Sequence, residues 1–327
     1  MQANKIEGNL DKETGHLAHP EYRPDIDGLR AVAVLSVVGF HAFPDLVKGG
    51  FIGVDIFFVI SGFLISTIIF TSLNRNAFSF LEFYGRRIRR IFPALILVLV
   101  TCFTLGWFVL FGDEYKQLGN HIAGGAGFVP NLVLWSESGY FDNAANSKPL
   151  LHLWSLGIEE QFYIIWPLLL WLAWKKRSSL IAITVTIAVA SIAYNIAIYR
   201  HDAVADYYSP QTRFWELFAG SVLAYIKLHS HDFSASLKKW LDKWPVQYTK
   251  VNSAALCETQ SIFGALLVTT GILVITKKYH FPGFWAVLPV FGAVFIISAG
   301  KHAWLNRVVL SNRLLVWFGL ISFPLYL

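Results

Sequence analysis

The chain has 327 residues, of which 55% are hydrophobic and only 15% are charged. Because a soluble globular protein is typically about one-quarter charged, this composition argues against a soluble enzyme and favours a membrane protein. The formal net charge of +6 would suit a nucleic-acid-binding protein, but in a membrane protein basic residues mark cytoplasmic loops, so we expect no nucleic-acid partner. Two cysteines predict neither a disulfide framework nor a zinc site, and we expect no bound metal.

Apolar stretches of membrane-spanning length recur along the chain. A helix needs about 20 mainly apolar residues to cross a hydrocarbon core that is ~30 Å thick. Eight stretches are predicted to cross the membrane, and a ninth, at the end of the sequence, is short for a span. The nine stretches are residues 29–47, 51–70, 91–111, 151–174, 180–199, 214–226, 262–276, 284–299 and 314–327. The sequence therefore predicts an all-α, polytopic membrane helical bundle.

The basic residues between these stretches predict the orientation. Residues 86–90, Arg-Arg-Ile-Arg-Arg, form the densest basic cluster, which the positive-inside rule places in the cytoplasm. Two spans precede this cluster, so we expect the N-terminus on the same side, with residues 1–28 as a cytoplasmic tail and residues 29–327 as one membrane domain. The next basic cluster, residues 175–177, is also predicted to be cytoplasmic. Residues 113–149 must then form a single external excursion.

Arg30 and His41 stand out in the first, otherwise apolar span. Eleven residues turn a helix through ~1100°, so both side chains lie on one face, ~16 Å apart along the axis. His41 then lies past the bilayer midplane, where an ionisable residue usually faces a bundle interior or a water-filled cavity. The pair is either a structural histidine with a snorkelling arginine or a functional pair. In the second case His41 accepts a proton during acyl transfer, a role that histidine side chains commonly take.

Asp55 lies near the external start of the second span, close in sequence to the end of the first span. A carboxylate in contact with His41 would fix the tautomer of the imidazole and raise its basicity. Alternatively, Asp55 stabilises the start of its own helix, where a negative charge complements the helix dipole. The sequence leaves both interpretations open. Gly53 and Gly62, in the same stretch, are predicted to allow close helix packing rather than to hold a ligand.

A polar stripe marks the fourth apolar stretch. Its members are spaced by three, four and four residues, which places them on one helix face. Glu160 is rotated by ~100° from Glu159, so the two carboxylates cannot face the same partner, and we take Glu159 as the functional one. A purely structural Glu159 would instead need a buried cation such as Arg30 or Arg213. The stripe consists of His152, Ser155, Glu159 and Tyr163.

Two further charged groups each have a structural and a functional interpretation. Arg213 and Glu216 are three residues apart on one helix and are predicted to pair with each other. Arg86, Arg87 and Arg90 serve as a topology signal that contacts lipid headgroups, or they clamp a phosphorylated acyl donor such as coenzyme A, since arginine binds phosphate in a bidentate fashion. The first interpretation suits the cluster as a whole, and the second suits two of its members.

Four strings stand in order along the chain: residues 22–30 followed by His41, residues 50–65, residues 87–93, and residues 154–163. Together they resemble the signatures of the membrane acyltransferase family 3. These are bacterial integral-membrane O-acyltransferases that modify lipopolysaccharide O-antigen, peptidoglycan and other envelope glycans. Arg30 and His41 match the Arg-x10-His signature of that family. The third string matches its Arg-x-x-Arg motif, and the fourth matches its central glutamate motif.

The resemblance implies a bundle of about ten spans that takes an acyl group from a cytoplasmic donor, acetyl-CoA, to a hydroxyl of an envelope glycan. It implies no permanently bound cofactor. We assign catalytic roles to His41, Glu159 and Asp55. The expected donor-binding residues are Arg30, Arg87 and Arg90. The expected supporting residues are Arg86, Ser155, Tyr163, Arg213 and Glu216. Whether His41 acts as a general base or carries the acyl group is open.

Two departures from the family pattern qualify this expectation. The sequence shows no SGNH-type esterase-like domain, so a separate periplasmic esterase-like protein is an expected partner. Residues 321–327 stop where the family usually continues into a last span, so we expect eight or nine spans and a C-terminally truncated domain in the bacterial inner membrane. The competing class is a transporter or flippase with buried His, Glu and Arg side chains, although transporters more often show internal repeats. A non-catalytic remnant is a third alternative.

Overall fold

The computed structural model describes residues 21–138, 148–229, 253–276 and 278–327. In these ranges the chain is built from helices joined by short loops. The first twenty residues of the expected cytoplasmic tail lie outside the described residues. The described part of that tail already enters the first helix at Pro24.

Thirteen α-helices occupy the described ranges. In chain order they are α1 (Pro24–Ala42), α2 (Gly53–Asn74), α3 (Phe80–Val109), α4 (Gly112–Ala126), α5 (Pro130–Glu137), α6 (Leu153–Lys175), α7 (Leu180–Ile198), α8 (Ala203–Tyr208), α9 (Pro210–Leu228), α10 (Ser253–Val274), α11 (Val287–Ala299), α12 (Arg313–Leu320) and α13 (Ser322–Tyr326). Short 3-10 helices precede α2 and α11, and a π-helical segment, Leu305–Leu310, precedes α12.

Each of the nine predicted apolar stretches contains a helix in the structure. Within the described residues, four helices are long and apolar enough to cross a membrane: Gly50–Asn74, Phe80–Val109, Leu180–Ile198 and Ala254–Val274. The other predicted spans carry several charged residues, as α1, α6 and α9 do, or are shorter, as α11 and α12 are. The chain is therefore an all-helical membrane protein with at least these four apolar helices.

The predicted external excursion contains the two short helices α4 and α5. A carboxylate fastens them to the segment that leads into α6, because Glu137 Oε2 accepts hydrogen bonds from three donors. These are Gln117 Nε2 at 3.0 Å, His121 Nε2 at 2.8 Å and Lys148 Nζ at 3.0 Å. Residues 139–147 of the excursion lie outside the described part of the chain.

Helix α2 lies at the centre of the bundle and packs most closely on α9. A methyl group added at Gly62 would lie 1.8 Å from the backbone oxygen of Leu217, and one added at Gly220 would lie 2.1 Å from that of Val59. The two backbones therefore touch at positions where no side chain fits, as in other membrane helix pairs with small residues at the interface. The predicted packing role of Gly62 is confirmed.

Polar side chains join α2 to two neighbouring helices. Ser66 Oγ donates to Ser221 Oγ of α9 at 2.7 Å, and Trp166 Nε1 of α6 donates to Ser66 Oγ at 2.9 Å. Gly53 at the start of α2 meets α1, where an added methyl would lie 2.2 Å from the backbone oxygen of Ala33. These contacts hold α1, α6 and α9 at fixed positions around α2 and so set the geometry of the space beside them.

Candidate active site

A cavity of about 310 Å³ lies between α2, α3 and α6, with Arg30 of α1 and residues of α13 completing its wall. Its apolar wall includes Phe57, Ile60 and Leu64 of α2. Polar and charged side chains from five helices meet in this one space, and seven of them are expected site residues. The polar and charged lining residues are Arg30, Ser61, Arg86, Arg87, Arg90, Ser155, Glu159, Glu160, Tyr163, Ser322 and Tyr326.

The arginines of α3 reach the cavity because of helical periodicity. Arg86 and Arg90 are four residues apart and share a face, and Arg87 lies next to that face. These three line the cavity, whereas their neighbour Arg89 is exposed and does not. Ser79 caps the helix start, where its side chain accepts a hydrogen bond from the backbone nitrogen of Glu82 at 3.4 Å. The helix thus begins well before its apolar portion and carries the basic residues on a regular backbone.

Two side chains of α6, Glu160 and Tyr163, contact Arg87. Its Nη2 lies 3.4 Å from Glu160 Oε1, and its guanidinium carbon lies 3.6 Å from the centre of the Tyr163 ring. Arg30 Nη1 lies 3.3 Å from Asp27 Oδ1, one turn earlier on α1. Both arginines are therefore neutralised in part and oriented by side chains of the protein itself.

Arg86 and Arg90 complete the cationic part of the cavity. Arg86 pairs with Glu82, one turn earlier on α3. Arg90 lines the cavity with an exposed side chain, and among the described residues no ion pair is recorded for it. Because arginine stays charged in proteins, this end of the cavity presents several guanidinium groups to an incoming anion.

Glu159 is held by two hydroxyl groups. Ser61 of α2 and Tyr163, one turn later on α6, both donate to Glu159 Oε1. Neither Arg30 nor Arg213, the cations that a structural role would require, forms an ion pair with it in the described structure. Glu160 instead pairs with Arg87. The two carboxylates thus take different partners, as their rotation predicts, but both of them line the cavity.

The cavity ends at Ser155 and Tyr326. Their hydroxyl oxygens are 2.6 Å apart, and the Tyr326 hydroxyl donates to the backbone oxygen of His152 at 3.1 Å. The His152 ring packs edge-on against Tyr326, with 5.9 Å between ring centres. Its Nε2 is buried, and no hydrogen-bond partner for it is found among the described residues. A histidine therefore lies directly behind this end of the cavity.

His41 lies in the last turn of α1 and is exposed, outside the cavity lining. Its Nδ1 is 2.9 Å from the backbone oxygen of Val37. This contact assigns the proton to Nδ1 and leaves Nε2 as a hydrogen-bond acceptor. His41 is close enough to His152 for an electrostatic interaction between the two rings. His41 therefore lies outside the cavity lining, within electrostatic reach of His152.

Asp55 does not contact His41, which corrects the expected catalytic pairing. Its Oδ1 accepts a hydrogen bond from Arg213 Nη2 at 3.0 Å, and Arg213 Nη1 lies 3.1 Å from Glu216 Oε1. All three side chains are fully buried and lie outside the cavity lining. A buried guanidinium without counter-charges is strongly destabilising, so Asp55 is drawn to Arg213. The predicted pair of Arg213 and Glu216 is confirmed.

Four residues of this region were not assigned a role from sequence. Glu160 was set aside because it is rotated away from Glu159, yet it holds Arg87. Ser61 lies within the second string but is surrounded there by apolar residues. His152 belongs to the polar stripe but lies outside the cavity lining. Tyr326 is 171 residues away from its partner Ser155, and no local pattern could have paired them.

The sequence matches an acyltransferase domain over residues 23–327. The chain belongs to the acyltransferase 3 family. The matching family is one of acyltransferases. The match includes every helix described above.

Relatives of known sequence agree with this assignment. Peptidoglycan O-acetyltransferase OatA of Listeria monocytogenes is 30% identical over 323 residues, covering 94% of this chain and 49% of the relative. YrhL of Bacillus subtilis, named as a candidate peptidoglycan O-acetyltransferase, is 32% identical over 94% of this chain and 48% of its own length. An uncharacterised Haemophilus influenzae protein is 33% identical over 76% of this chain and 98% of its own. The chain thus spans about half the length of the first two relatives. No solved structure matches this acyltransferase.

Proposed function

We propose that this acyltransferase moves an acetyl group from cytoplasmic acetyl-CoA to a hydroxyl group of a cell-envelope polysaccharide. One observation carries the proposal: a single cavity has arginines at one end and, beyond its other end, two neighbouring histidines. The names of the relatives support O-acetyl transfer to a glycan, since two of them are named for peptidoglycan O-acetylation. Acetyl-CoA enters as a co-substrate and not as a resident cofactor.

The donor would bind with its phosphates at the arginine end. Guanidinium groups form paired, charge-assisted hydrogen bonds with phosphate oxygens, and Arg90, with Arg30 and Arg87 beside it, offers such groups to the cavity. The apolar wall of α2 would cover the arm that carries the thioester. The thioester would then lie near Ser155 and Tyr326, the end of the cavity that faces the histidines.

The acceptor hydroxyl would reach the thioester from the side of His41. Nε2 of His41, which is free to accept a proton, would take the proton of the hydroxyl as its oxygen attacks the thioester carbonyl. The carbon–sulfur bond then breaks, and coenzyme A leaves as a thiolate that is protonated from solvent at the cytoplasmic end. In this proposal His41 is a general base, and neither Asp55 nor Glu159 orients it.

The proposed reaction requires a defined placement in the membrane. We propose a multi-pass protein of the bacterial inner membrane with a cytoplasmic N-terminus. In this arrangement α1, α6 and α9 also cross the bilayer, because most of their charged side chains, such as Asp27, Glu160 and Arg213, are buried in the bundle, where such groups are tolerated. The arginine end of the cavity then faces the cytoplasm and His41 faces outward. A separate periplasmic esterase-like protein stays a proposed partner on the outer side.

The test compares two histidines in similar local settings. His229 Nδ1 lies 3.1 Å from the backbone oxygen of Tyr225 at the end of α9, just as His41 Nδ1 contacts Val37 at the end of α1. His41→Ala should abolish ester-linked acetate on the envelope polysaccharide, and His229→Ala should leave it near the wild-type level, with protein amounts monitored in both strains. Normal acetate in the His41→Ala strain at normal protein level would overturn the mechanism. Release of coenzyme A from labelled acetyl-CoA separates an enzyme from a transporter.

A further inference from the structure

Glu159 accepts two hydrogen bonds, both through the same carboxylate oxygen. Ser61 and Tyr163 both donate to Oε1, and in the described part of the chain no donor is recorded for Oε2. Glu159 is half-buried and lines the cavity. An ionised carboxylate only accepts hydrogen bonds. Glu159 is therefore held in place through one oxygen while the other remains able to accept a hydrogen bond from a molecule in the cavity.

The height of Glu159 along the cavity follows from its place on α6. Ser155, Glu159 and Tyr163 succeed one another at intervals of four residues, so each step rises ~6 Å along the helix axis. Tyr163 lies under the guanidinium of Arg87, and Ser155 lies at the other end of the cavity, beside Tyr326. Glu159 is consequently midway between the cationic end and the end where a thioester would react.

The part of α2 beside Glu159 is apolar apart from Ser61, with Phe57, Ile60 and Leu64 among its lining residues. A molecule that fills this space must offer an anion at one end, largely apolar groups along its length, and a hydrogen-bond donor at mid-height. Phosphopantetheine, the arm that joins phosphate to sulfur in coenzyme A, has this composition, because secondary amides with N–H donors lie between its phosphate and its thiol. A simple acyl phosphate or a lipid tail has no such donor.

We propose that Glu159 Oε2 accepts a hydrogen bond from an amide N–H of a phosphopantetheine thioester, and so selects this class of acyl donor. The inference rests on the proposed function. It replaces the expected catalytic role of Glu159 with a donor-binding role. Free acyl-CoA and acyl carrier proteins carry the same arm, and Glu159 would contact only this shared part.

The test measures donor binding, so that it needs no knowledge of the acceptor glycan. The full chain, purified into lipid nanodiscs, is titrated with acetyl-CoA and with two analogues in which one or the other pantetheine amide is replaced by an ester. The analogue that lacks the N–H donor to Glu159 should bind the wild type about tenfold more weakly than acetyl-CoA, because that hydrogen bond cannot form. The other analogue should bind within about threefold of acetyl-CoA.

Two variants of Glu159 are titrated with the same donors. In Glu159→Leu, acetyl-CoA should bind about tenfold more weakly, and the sensitive ester analogue should bind as well as acetyl-CoA does. Glu159→Gln, which keeps the shape of the side chain and one acceptor oxygen, should give an intermediate ratio. Glu114→Gln, outside the cavity, should match the wild type. Thermal unfolding of each variant establishes that it is folded, and the ester analogues test the same contact in the wild type alone.

The outcomes separate this inference from the proposed function. The inference is overturned if acetyl-CoA binds the wild type but neither ester analogue binds more weakly. It is also overturned if Glu159→Leu still prefers acetyl-CoA over the ester analogue. In both cases Glu159 does not contact the arm, and the assignment of acetyl-CoA as the donor stands. If the wild type binds neither acetyl-CoA nor an acetyl-loaded acyl carrier protein, both fail. Binding of S-acetyl-phosphopantetheine as tight as that of acetyl-CoA would support recognition of the shared arm, and comparison with the loaded carrier protein identifies the source.

Discussion

Replacing Arg213 should destabilise the bundle more than replacing either of its acidic partners. Arg213 lies 3.0 Å from Asp55 and 3.1 Å from Glu216, and all three side chains are fully buried. Arg213→Met leaves two carboxylates facing one another without a counter-charge. Breaking a buried ion pair in this way costs about 3–5 kcal/mol. Asp55→Asn leaves the one-to-one pair of Arg213 and Glu216 intact, so we expect a smaller cost of about 1–2 kcal/mol.

Thermal unfolding in detergent, followed by intrinsic fluorescence, measures these differences. A loss of 3–5 kcal/mol should lower Tm by about 10 °C in a chain of this size, and the smaller loss should lower it by a few degrees. A triple variant, Arg213→Met with Asp55→Leu and Glu216→Leu, should recover much of the stability, because replacing a whole buried ion cluster by apolar groups is often neutral or stabilising.

The same variants test whether Asp55 has a catalytic role. If the cluster only holds α2 against α9, envelope acetylation should follow the amount of folded protein in each variant, and the triple variant should retain activity. An Asp55→Asn protein of wild-type stability that no longer acetylates the envelope would refute this reasoning and return Asp55 to the reaction. An Arg213→Met protein as stable as the wild type would refute the assignment of the cluster to stability.

Three further predictions concern packing and the external face. Gly62→Ala should lower the free energy of unfolding by about 3 kcal/mol or more, because its methyl group would meet the backbone of Leu217. Gly119→Ala, with open space around it, should leave stability unchanged. Equal losses of stability in the two variants would contradict this prediction. Burial raises the pKa of Asp206, in α8, to about 6, above an unfolded value near 4. Unfolding scans should therefore show stability falling as pH rises from about 4 to about 6, and Asp206→Asn should remove that slope. Glu137→Gln should cost about 1–3 kcal/mol, measured by thermal unfolding, since three donors lose an ionised acceptor.

The sequence predicts the existence of the long helices well, because the bilayer sets the length of an apolar stretch. Their boundaries are less predictable. The third stretch was predicted to span residues 91–111, whereas α3 runs from Phe80 to Val109. Hydropathy detects only the part of a helix that lies in hydrocarbon, and the basic turns of α3 continue the same helix. This extension is what brings Arg86, Arg87 and Arg90 to the cavity.

Contacts within one helix were also predictable, since the period of 3.6 residues fixes which side chains share a face. Ser155, Glu159 and Tyr163 could therefore be grouped from their spacing alone. Contacts between helices could not be predicted in this way. Asp55 and Arg213 are separated by 158 residues, and nothing local to either residue indicates that they meet. The nearness of His41 in sequence suggested the wrong partner for Asp55.

Counter-charge distinguishes the structural arginines from those available to a ligand. Arg213 is fully buried and is neutralised by two carboxylates of the protein, so it has no capacity left for an anion. Arg87 and Arg30 are each paired with a single carboxylate. Arg90 lines the same cavity, and no ion pair is recorded for it in the described ranges. Because no protein carboxylate pairs with its guanidinium in those ranges, Arg90 is the position where an anion from outside the protein gains most. The proposed reaction brings the phosphate of its donor to this position.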